Sequence, residues 1–238
     1  MVSVVIPAFE EEATIKEVIK AAQNHPLVGE IIVVDDGSID GTFTEAKKTG
    51  ARVVRSEENL GKAGAMSYGV RLAKYDTILF LDADVLGVTH EMITQIVNPV
   101  LNGKYEMYVG MCARKIFWLN YALHFLPIIG GERAVSRELW TAVPEIYKHR
   151  FQIEIALNYF AKKTAKGMGF GLIRGITHIV KEQKYGLLLG LWRRSRMTYN
   201  CFSVGIQLYV FYNIRLSYQA VLKRGELIWE EITHDMLQ

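Results

Sequence analysis

The fold that we predict for this chain rests on the segment Ile78-Leu79-Phe80-Leu81-Asp82-Ala83-Asp84. Four apolar residues in a row, ended by polar ones, are typical of a strand buried on both faces of a parallel sheet. In open α/β sheets, ligands bind at the carboxyl ends of the strands, so Asp82 and Asp84 are expected at the binding edge. Hard divalent cations take carboxylate oxygens and share their shell with substrate phosphates. The stretch therefore indicates a metal–diphosphate site, or alternatively an Asp pair that only caps the next helix.

Strands and helices alternate on both sides of this stretch. Buried strands are predicted at residues 1–7, ended by Pro7, and at 30–34, 52–55, 77–81 and 107–111. Helical periodicity is found at residues 10–23, 59–73 and 91–101. Such alternation predicts right-handed crossovers and a parallel core, that is, an α/β fold with a mostly parallel, Rossmann-like central sheet flanked by helices.

The composition fits one large globular domain, or one domain with a small appendage. Of 238 residues, 50% are hydrophobic and 22% are charged. A net charge of +3 is too small to indicate a nucleic-acid partner. The isolated Cys112 and Cys201 favour a reducing compartment. No signal-peptide pattern or apolar run of the roughly 18–20 residues that span a membrane is found, so we expect a cytoplasmic protein.

The second half of the chain has weaker patterns. An aromatic stretch covers residues 115–126, a flexible glycine turn lies at 130–134, and helices are predicted at 136–143 and 151–164. A glycine-rich loop at 167–171 precedes a short strand at 176–180. Residues 196–222 form a long helical pattern that is apolar nearly all round. Such a helix is buried, forms a subunit contact or lies on a membrane surface.

Four loops are expected at the same edge of the sheet: those after Pro7 and Val34, the one at Lys62, and the one at Asp82. Lys62, in a Gly-Lys-x-Gly turn at a helix start, offers a cation and backbone donors to a phosphate. Asp35 and Asp36 can accept hydrogen bonds from a base or a ribose. The alternatives are ordinary turn chemistry for the aspartates and a solvated lysine at a helix start.

At this point the chain resembles the family 2 glycosyltransferases, which have the GT-A fold. The resemblance rests on four segments: residues 2–11, residues 33–42 with Asp-Asp-Gly-Ser, Asn59-Leu60-Gly61-Lys62, and Leu81-Asp82-Ala83-Asp84. One departure is Glu10, where these enzymes commonly carry Asn. The resemblance implies that Asp82 and Asp84 serve the ribose and the metal. It also implies a nucleotide site lined by Pro7, Ala8, Phe9, Glu11, Asp35, Asp36, Lys62 and Asp82.

A shorter resemblance covers the acceptor side. Residues 131–137 are similar to a loop of dolichol-phosphate-mannose-synthase-like members, which implies acceptor-binding roles for Arg133 and Arg137. Arg114, after the last core strand, and Arg193, in a basic segment, are expected to join them. For Arg193 the alternative is a solvated helix start. Thr177-His178 resembles a late element whose histidine completes the metal shell; the alternative is a histidine bonded in the core.

Glu154 is the candidate general base. Inverting members of the family place an acid at a comparable point, and burial among Ile153, Ile155 and Leu157 can raise the pKa of a carboxyl group. The alternative is a carboxylate that faces water at a helix start. An ionised lipid phosphate needs no base, so with such an acceptor Glu154 would position rather than deprotonate. The predicted catalytic residues are therefore Asp82, Asp84 and Glu154.

The resemblance implies a hexosyltransferase that uses Mg²⁺ or Mn²⁺ and a UDP- or GDP-linked sugar. The expected acceptor is a polyprenyl phosphate, with the protein peripheral on the cytoplasmic face of the membrane. The alternatives are a soluble sugar or phosphorylated small acid, or a sugar-nucleotide-binding protein without turnover. We expect a GT-A domain over residues 1–190, with a nucleotide half (1–110) and an acceptor half (111–190). A helical extension over 191–238 would then offer a homo-oligomer contact.

Overall fold

The structure is a computed structural model, and it describes residues 1–112, 130–149, 152–178 and 203–214. The strands are β1 (Val2–Ala8), β2 (Val28–Asp35), β3 (Arg52–Arg55), β4 (Thr77–Phe80), β5 (Val85–Leu86), β6 (Met107–Cys112), β7 (Arg133–Ser136), β8 (Met168–Ile173) and β9 (Thr177–His178). The helices are α1 (Ile15–Ala22), α2 (Thr42–Lys47), α3 (Gly61–Leu72), α4 (His90–Leu101), α5 (Arg137–Ala142) and α6 (Gln152–Ala161). A 3-10 turn spans Glu145–Tyr147, and a C-terminal helical segment (203–214) contains the π-helical Gln207–Tyr212.

One seven-stranded sheet has the order β3-β2-β1-β4-β7-β6-β8, and β5 pairs with β9 in a separate two-stranded sheet. β1, β2, β3 and β4 pair in parallel, as do β6 and β8. Among the described strands of the large sheet, only β7 runs antiparallel to its neighbours, β4 and β6. The prediction of an α/β fold with a mostly parallel sheet is therefore confirmed.

Helices cover both faces of this sheet because alternate strand residues point to opposite faces. Val4 and Leu79 belong to the apolar cluster that includes residues of α1 and α4. Val5 and Phe80 belong to the other cluster, with residues of α3, α5 and α6. Strands that are buried on both faces explain the continuous apolar runs in the sequence.

The prediction that Pro7 ends the first strand is wrong, since β1 continues to Ala8 and pairs Pro7 with Val34 of β2. The Val5 carbonyl accepts from Leu81 N, whereas the Ala8 carbonyl accepts from Asp36 N on the other side. Backbone groups alternate along a strand, so the nitrogen of Pro7 faces the same side as Val5. β4 has already ended there, at Phe80. The missing N–H of proline therefore leaves the β1–β2 ladder intact and faces β4 at the point where the β1–β4 pairing ends.

The first helix begins at Ile15 rather than at Glu10. Glu10 has φ of 56°, in the left-handed region, which a helix excludes. The Glu10 and Glu11 amides donate instead to Ser38 Oγ at 2.9 Å and Thr42 Oγ1 at 2.8 Å. Asparagine adopts positive φ more readily than most residues, so the Asn that the resemblance implies at this position would suit the same conformation.

The glycine-rich residues 167–171 do not form the predicted loop, because most of them belong to β8. A Cβ at Gly169 would lie 2.7 Å from ring atoms of both Tyr105 and Tyr108. The absence of a side chain at Gly169 therefore lets the rings of Tyr105 and Tyr108 pack directly against the backbone of β8.

The C-terminal helical segment packs on α6 through Val204 and Leu208, both buried. The segment also exposes Ile206, Val210 and Ile214, and Tyr209 is partly exposed while its ring packs edge-to-face on Tyr159 of α6. None of the helices in the described ranges combines the length and the apolar composition that crossing a membrane requires.

Candidate active site

The topology brings the predicted loops together at one edge of the sheet. Parallel β1, β2 and β4 all end at this edge, followed by the segments at Phe9, Asp36 and Asp82. Antiparallel β7 starts there, since Arg133 pairs with Phe80. The glycines before Arg133 therefore approach the residues that follow Phe80.

Four charged side chains form what we call the charge cluster: Lys62, Asp82, Arg133 and Glu154. The ammonium of Lys62 lies 2.8 Å from Asp82 Oδ1 and 2.7 Å from Glu154 Oε1. Arg133 Nη2 lies 3.7 Å from Glu154 Oε2, and its Nη1 donates to the Glu154 carbonyl at 3.3 Å. Two cations and two anions balance, which lets the cluster lie largely out of water.

Both cations of the charge cluster keep their protons. Burial by itself lowers the pKa of the Lys62 ammonium, but the adjacent Asp82 and Glu154 carboxylates outweigh burial and raise that pKa. For Arg133, whose side chain is fully buried, desolvation lowers the pKa against the opposing effect of Glu154. A guanidinium keeps its proton under all ordinary conditions, so the cluster stays charged.

The surroundings of the Glu154 carboxylate differ from the apolar ones that we predicted. The residue is buried on α6, as the sequence suggested, but both carboxylate oxygens face cations rather than apolar side chains alone. The alternative of a carboxylate facing water also fails, because only 5% of the side chain is exposed.

Gly131, predicted as part of a glycine turn and of the 131–137 segment, lies directly against Asp82. A Cβ at this position would lie 1.9 Å from Asp82 Oδ2 and 2.3 Å from its Cγ. No side chain can occupy that space while Asp82 keeps its orientation. The signal in the sequence was the Gly130-Gly131 pair itself, but only the pairing of β7 with β4 places it against Asp82.

Asp84 lies between β4 and β5 and is half-buried. The β5–β9 ladder pairs Val85 with His178, so the backbone of His178 runs beside the residue that follows Asp84. The role predicted for the His178 imidazole lies outside what the structure describes. No group of three or more His, Cys, Asp or Glu side chains that could hold a metal ion occurs in the described ranges. The donor set there suits a hard cation that takes one or two carboxylates and completes its shell with substrate phosphates.

Asp35 and Asp36 are buried, and their carboxylates accept hydrogen bonds from neighbouring loops. Asp35 Oδ2 accepts from Arg55 Nε at 2.7 Å, and its Oδ1 accepts from Ser38 N at 3.1 Å. Asp36 Oδ1 and Oδ2 accept from the amides of Leu60 and Gly61 at 2.7 and 2.8 Å, at the start of α3. Burial raises the pKa of Asp36, and these two amide donors oppose that effect. Both aspartates therefore shape the loops of the predicted nucleotide site.

The remaining residues of the predicted nucleotide site lie along the end of β1. Pro7 and Ala8 close the strand, and Phe9 is exposed at the same edge. Glu11 follows, with its amide bonded to Thr42 as described. Lys62 is not the solvated lysine of the alternative interpretation, because the charge cluster holds its ammonium.

The predicted acceptor arginines separate into different places. Arg133 is fully buried and donates through Nε to the Gly130 carbonyl at 2.9 Å, so it supports the charge cluster from within. Arg137 follows β7 at the opposite edge of the sheet and donates to the carbonyls of Val70, Ala73 and Tyr75. Its position does not fit the acceptor role that we expected. Its hydrogen bonds instead connect the end of β7 to the end of α3. Arg114 and Arg193 lie outside the described residues.

Comparisons with known proteins agree with this geometry. The model of the family described as glycosyl transferase family 2 matches residues 3–127, more than half of the chain. Glucosyl-3-phosphoglycerate synthase of Mycobacterium tuberculosis (strain ATCC 25618 / H37Rv) is 33% identical over 158 residues, which are 61% of this chain and 49% of that protein. The chain thus spans about half the length of this curated relative. Dodecaprenyl-phosphate galacturonate synthase of Rhizobium johnstonii is 33% identical over 118 residues, covering 45% of this chain and 35% of that protein.

A solved structure is similar over most of the chain. It is glucosyl-3-phosphoglycerate synthase from Mycobacterium tuberculosis in complex with Mn²⁺, UDP-glucose and phosphoglyceric acid. The match has a TM-score of 0.73 and 26% sequence identity and covers 87% of this chain and 79% of that one. The four predicted motifs, the parallel edge that gathers them and these matches lead to one conclusion: the chain belongs to glycosyl transferase family 2 and has the GT-A fold.

Proposed function

We propose that this chain is a glycosyltransferase that moves a sugar from a UDP-sugar to a small phosphorylated acceptor, with Mn²⁺ or Mg²⁺ as cofactor. The observation that carries the proposal is the geometry beyond the end of β4, where Asp82 and Asp84 follow the strand and Lys62 of α3 contacts both Asp82 and Glu154 of α6. A cation beside two carboxylates at a strand edge suits a diphosphate that binds together with a divalent ion. The similar mycobacterial protein, solved with Mn²⁺, UDP-glucose and phosphoglyceric acid, supports this choice of donor, metal and acceptor.

In the proposed reaction, the bond between the anomeric carbon and the diphosphate oxygen breaks while a bond to an acceptor oxygen forms. A bound divalent ion would supply electrostatic stabilisation of the departing diphosphate. Asp84, with Asp82, would hold it. The ammonium of Lys62 would turn from Glu154 to the diphosphate, whose charge grows as the bond breaks. That movement would free Glu154 Oε1 to take the proton of an attacking hydroxyl.

A transfer assay read by mass spectrometry tests the proposal. UDP-glucose is offered with 3-phosphoglycerate, with Mn²⁺ or with a chelator, and GDP-linked donors are run in parallel. We expect a product one hexose heavier than the acceptor, formed only with metal. Asp84→Asn is expected to slow its formation by about 10²–10³-fold, as for loss of one transition-state stabiliser. The matched control is Asp76→Asn, which changes an exposed acid at the opposite edge. Absence of both transfer and donor hydrolysis with every donor would contradict the proposal.

A polyprenyl phosphate is the second candidate acceptor, favoured by a specific surface. The C-terminal helical segment exposes an apolar stripe of Ile206, Tyr209, Val210 and Ile214. Lys162, an exposed residue, lies with Nζ 5.8 Å from the Tyr209 ring centroid. Apolar side chains beside lysines suit an anionic lipid surface. The similarity to dodecaprenyl-phosphate galacturonate synthase supports the same acceptor class.

The two acceptors are separated by adding dodecaprenyl phosphate in anionic vesicles to the same assay. Glycosylated lipid, together with sedimentation of the protein with vesicles that Val210→Glu abolishes, would favour the second candidate and a peripheral membrane location. Transfer to phosphoglycerate without vesicle binding would favour the first. In that case the stripe would be examined as a contact between two copies of the chain, by measuring the molar mass in solution.

A further inference from the structure

A buried hydrogen bond joins the first loop of the chain to the middle of the Asp82-Ala83-Asp84 sequence. The hydroxyl of Thr14 donates to the carbonyl of Ala83 at 2.7 Å, across 69 residues of sequence. Thr14 is 3% exposed and Ala83 is 4% exposed, so water does not compete for either group. A buried carbonyl needs a donor, and Thr14 supplies it between the two carboxylates of the site.

The helix that Thr14 begins does not explain this hydroxyl. Thr14 is the N-cap of α1, a position where threonine ordinarily accepts a bond from an amide of the first turn. Thr89 does so at α4, where its side chain accepts from Met92 N at 3.2 Å. The side chain of Thr14 makes no such bond. The fold thus forgoes a helix cap, and the hydroxyl is directed to the Ala83 carbonyl instead.

Thr14 also belongs to a loop that is anchored to its neighbours. The Thr14 amide donates to the Glu11 carbonyl at 3.1 Å, and the Glu11 amide donates to Thr42 Oγ1. The Thr14 hydroxyl lies 3.4 Å from the Glu11 carbonyl as well. A hydroxyl has one proton, so the shorter contact with Ala83 takes it. The loops after β1, β2 and β4 are therefore connected through one short segment.

We infer that Thr14 is a positioning residue for the carboxylates of Asp82 and Asp84. Its hydroxyl holds the Ala83 carbonyl, and the peptide planes on either side of Ala83 set the directions in which the two carboxylates leave the backbone. Groups that orient metal ligands without touching the metal commonly tune metal affinity. The inference rests on the proposed function, in which these carboxylates receive a divalent ion with a nucleoside diphosphate.

The test compares Thr14→Val, which keeps the shape and removes the donor, with Thr14→Ser, which keeps the donor. Free Mn²⁺ is followed by electron paramagnetic resonance as protein is titrated in the presence of UDP, with no turnover needed. We expect Thr14→Val to weaken Mn²⁺ binding by about 10–100-fold, the usual effect of losing such a partner, and Thr14→Ser to restore most of it. The matched control is Thr49→Val, since Thr49 also donates to a carbonyl, that of Ala46, but precedes β3 at the opposite edge.

Thermal unfolding of each variant is measured alongside, because a lost buried hydrogen bond also lowers stability. Should Thr14→Val fail to fold, the smaller Thr14→Ala takes its place in the comparison with Thr14→Ser. If the wild type binds Mn²⁺ with UDP and Thr14→Val or Thr14→Ala binds it with the same affinity, the positioning role alone is overturned. A wild-type chain that binds no Mn²⁺ with UDP would overturn the proposed donor site and this role with it.

Discussion

Lys62 Nζ lies 2.7 Å from Glu154 Oε1, so two residues 92 positions apart share an ion pair that joins α3 to α6. Only 18% of the Lys62 side chain and 5% of the Glu154 side chain are exposed, so solvent screens the pair weakly. The pair therefore links the half of the chain that carries the nucleotide motifs to the half expected to receive the acceptor.

A double-mutant cycle on Lys62→Met and Glu154→Gln measures this link. Because each single variant leaves a buried charge with fewer partners, we expect a coupling energy of about 1–3 kcal/mol in urea unfolding. The control cycle uses Lys48, which is exposed, and its partner Glu45, a pair whose coupling should be clearly smaller because water reaches the ammonium. Equal couplings in the two cycles would mean that Lys62 and Glu154 are not held together in solution.

Gly131→Ala should damage the site more than the fold. The added Cβ would lie 1.9 Å from Asp82 Oδ2, so the carboxylate must move away from the position in which Lys62 holds it. A displacement of about 1 Å in a reacting site can cost about 10²-fold in rate, and we expect a loss of that order in the transfer assay.

The control for this change is Gly205→Ala in the C-terminal helical segment, where an added Cβ meets open space. There, alanine should leave the rate unchanged and raise stability by roughly 0.5–1 kcal/mol, since glycine is unfavourable inside a helix. Full transfer activity in Gly131→Ala would show that Asp82 tolerates a different orientation.

Arg137→Met should lower stability without changing acceptor affinity. The Arg137 guanidinium donates to the Val70, Ala73 and Tyr75 carbonyls, at and beyond the end of α3 and away from Asp84. Hydrogen bonds from charged groups contribute about 1.5–3 kcal/mol each, but Arg137 is partly exposed, so we expect a loss of about 1–3 kcal/mol in urea unfolding. A raised KM for the acceptor with unchanged stability would instead return Arg137 to the acceptor role that the sequence suggested.

His25 should make the fold sensitive to mild acid. Its Nδ1 accepts from Leu27 N at 3.1 Å, while Nε2 lies 3.0 Å from the His90 carbonyl, an arrangement that suits the neutral ring. Burial lowers the pKa of His25 below its ordinary value of 6.5, against the raising effect of the hydrogen bond to His90. The unfolded chain therefore takes up this proton at a higher pH than the folded chain does. The contribution to stability is complete above about pH 6.5 and is lost as pH falls through and below that value.

The measurement is the free energy of unfolding in urea at several pH values between 5 and 8, in the wild type and in His25→Gln. We expect a weaker fall in stability on acidification in His25→Gln. His149→Gln, which removes an exposed histidine, should keep the wild-type slope. A slope that is the same in His25→Gln and the wild type would show that His25 does not protonate differently in the two states.

The part of the fold that sequence could predict is the part whose signals are local. Burial on both faces gave β1, β2 and β4 continuous apolar runs that predict strands. Burial on one face gave α4 a helical period, so these elements could be predicted from neighbouring residues. The strand-end position of Asp82 and Asp84 followed from the same patterns. The boundaries were missed where tertiary hydrogen bonds set them, as at Glu10, whose amide bonds to Ser38 and not to a helix.

The family, the parallel core and the edge at which the motifs meet could be predicted from the sequence, because they depend on the order and periodicity of short segments. Which side chains touch at that edge became clear from the folded structure alone. The pairing of Lys62 with Glu154, the closeness of Gly131 to Asp82 and the bond from Thr14 to Ala83 each join residues at least 49 positions apart. Contacts of that range arise when β7 inserts antiparallel beside β4 and when α1 and α6 pack on opposite faces of the sheet. No local pattern carries that information, because the sequence specifies those contacts only through the packing of the whole chain.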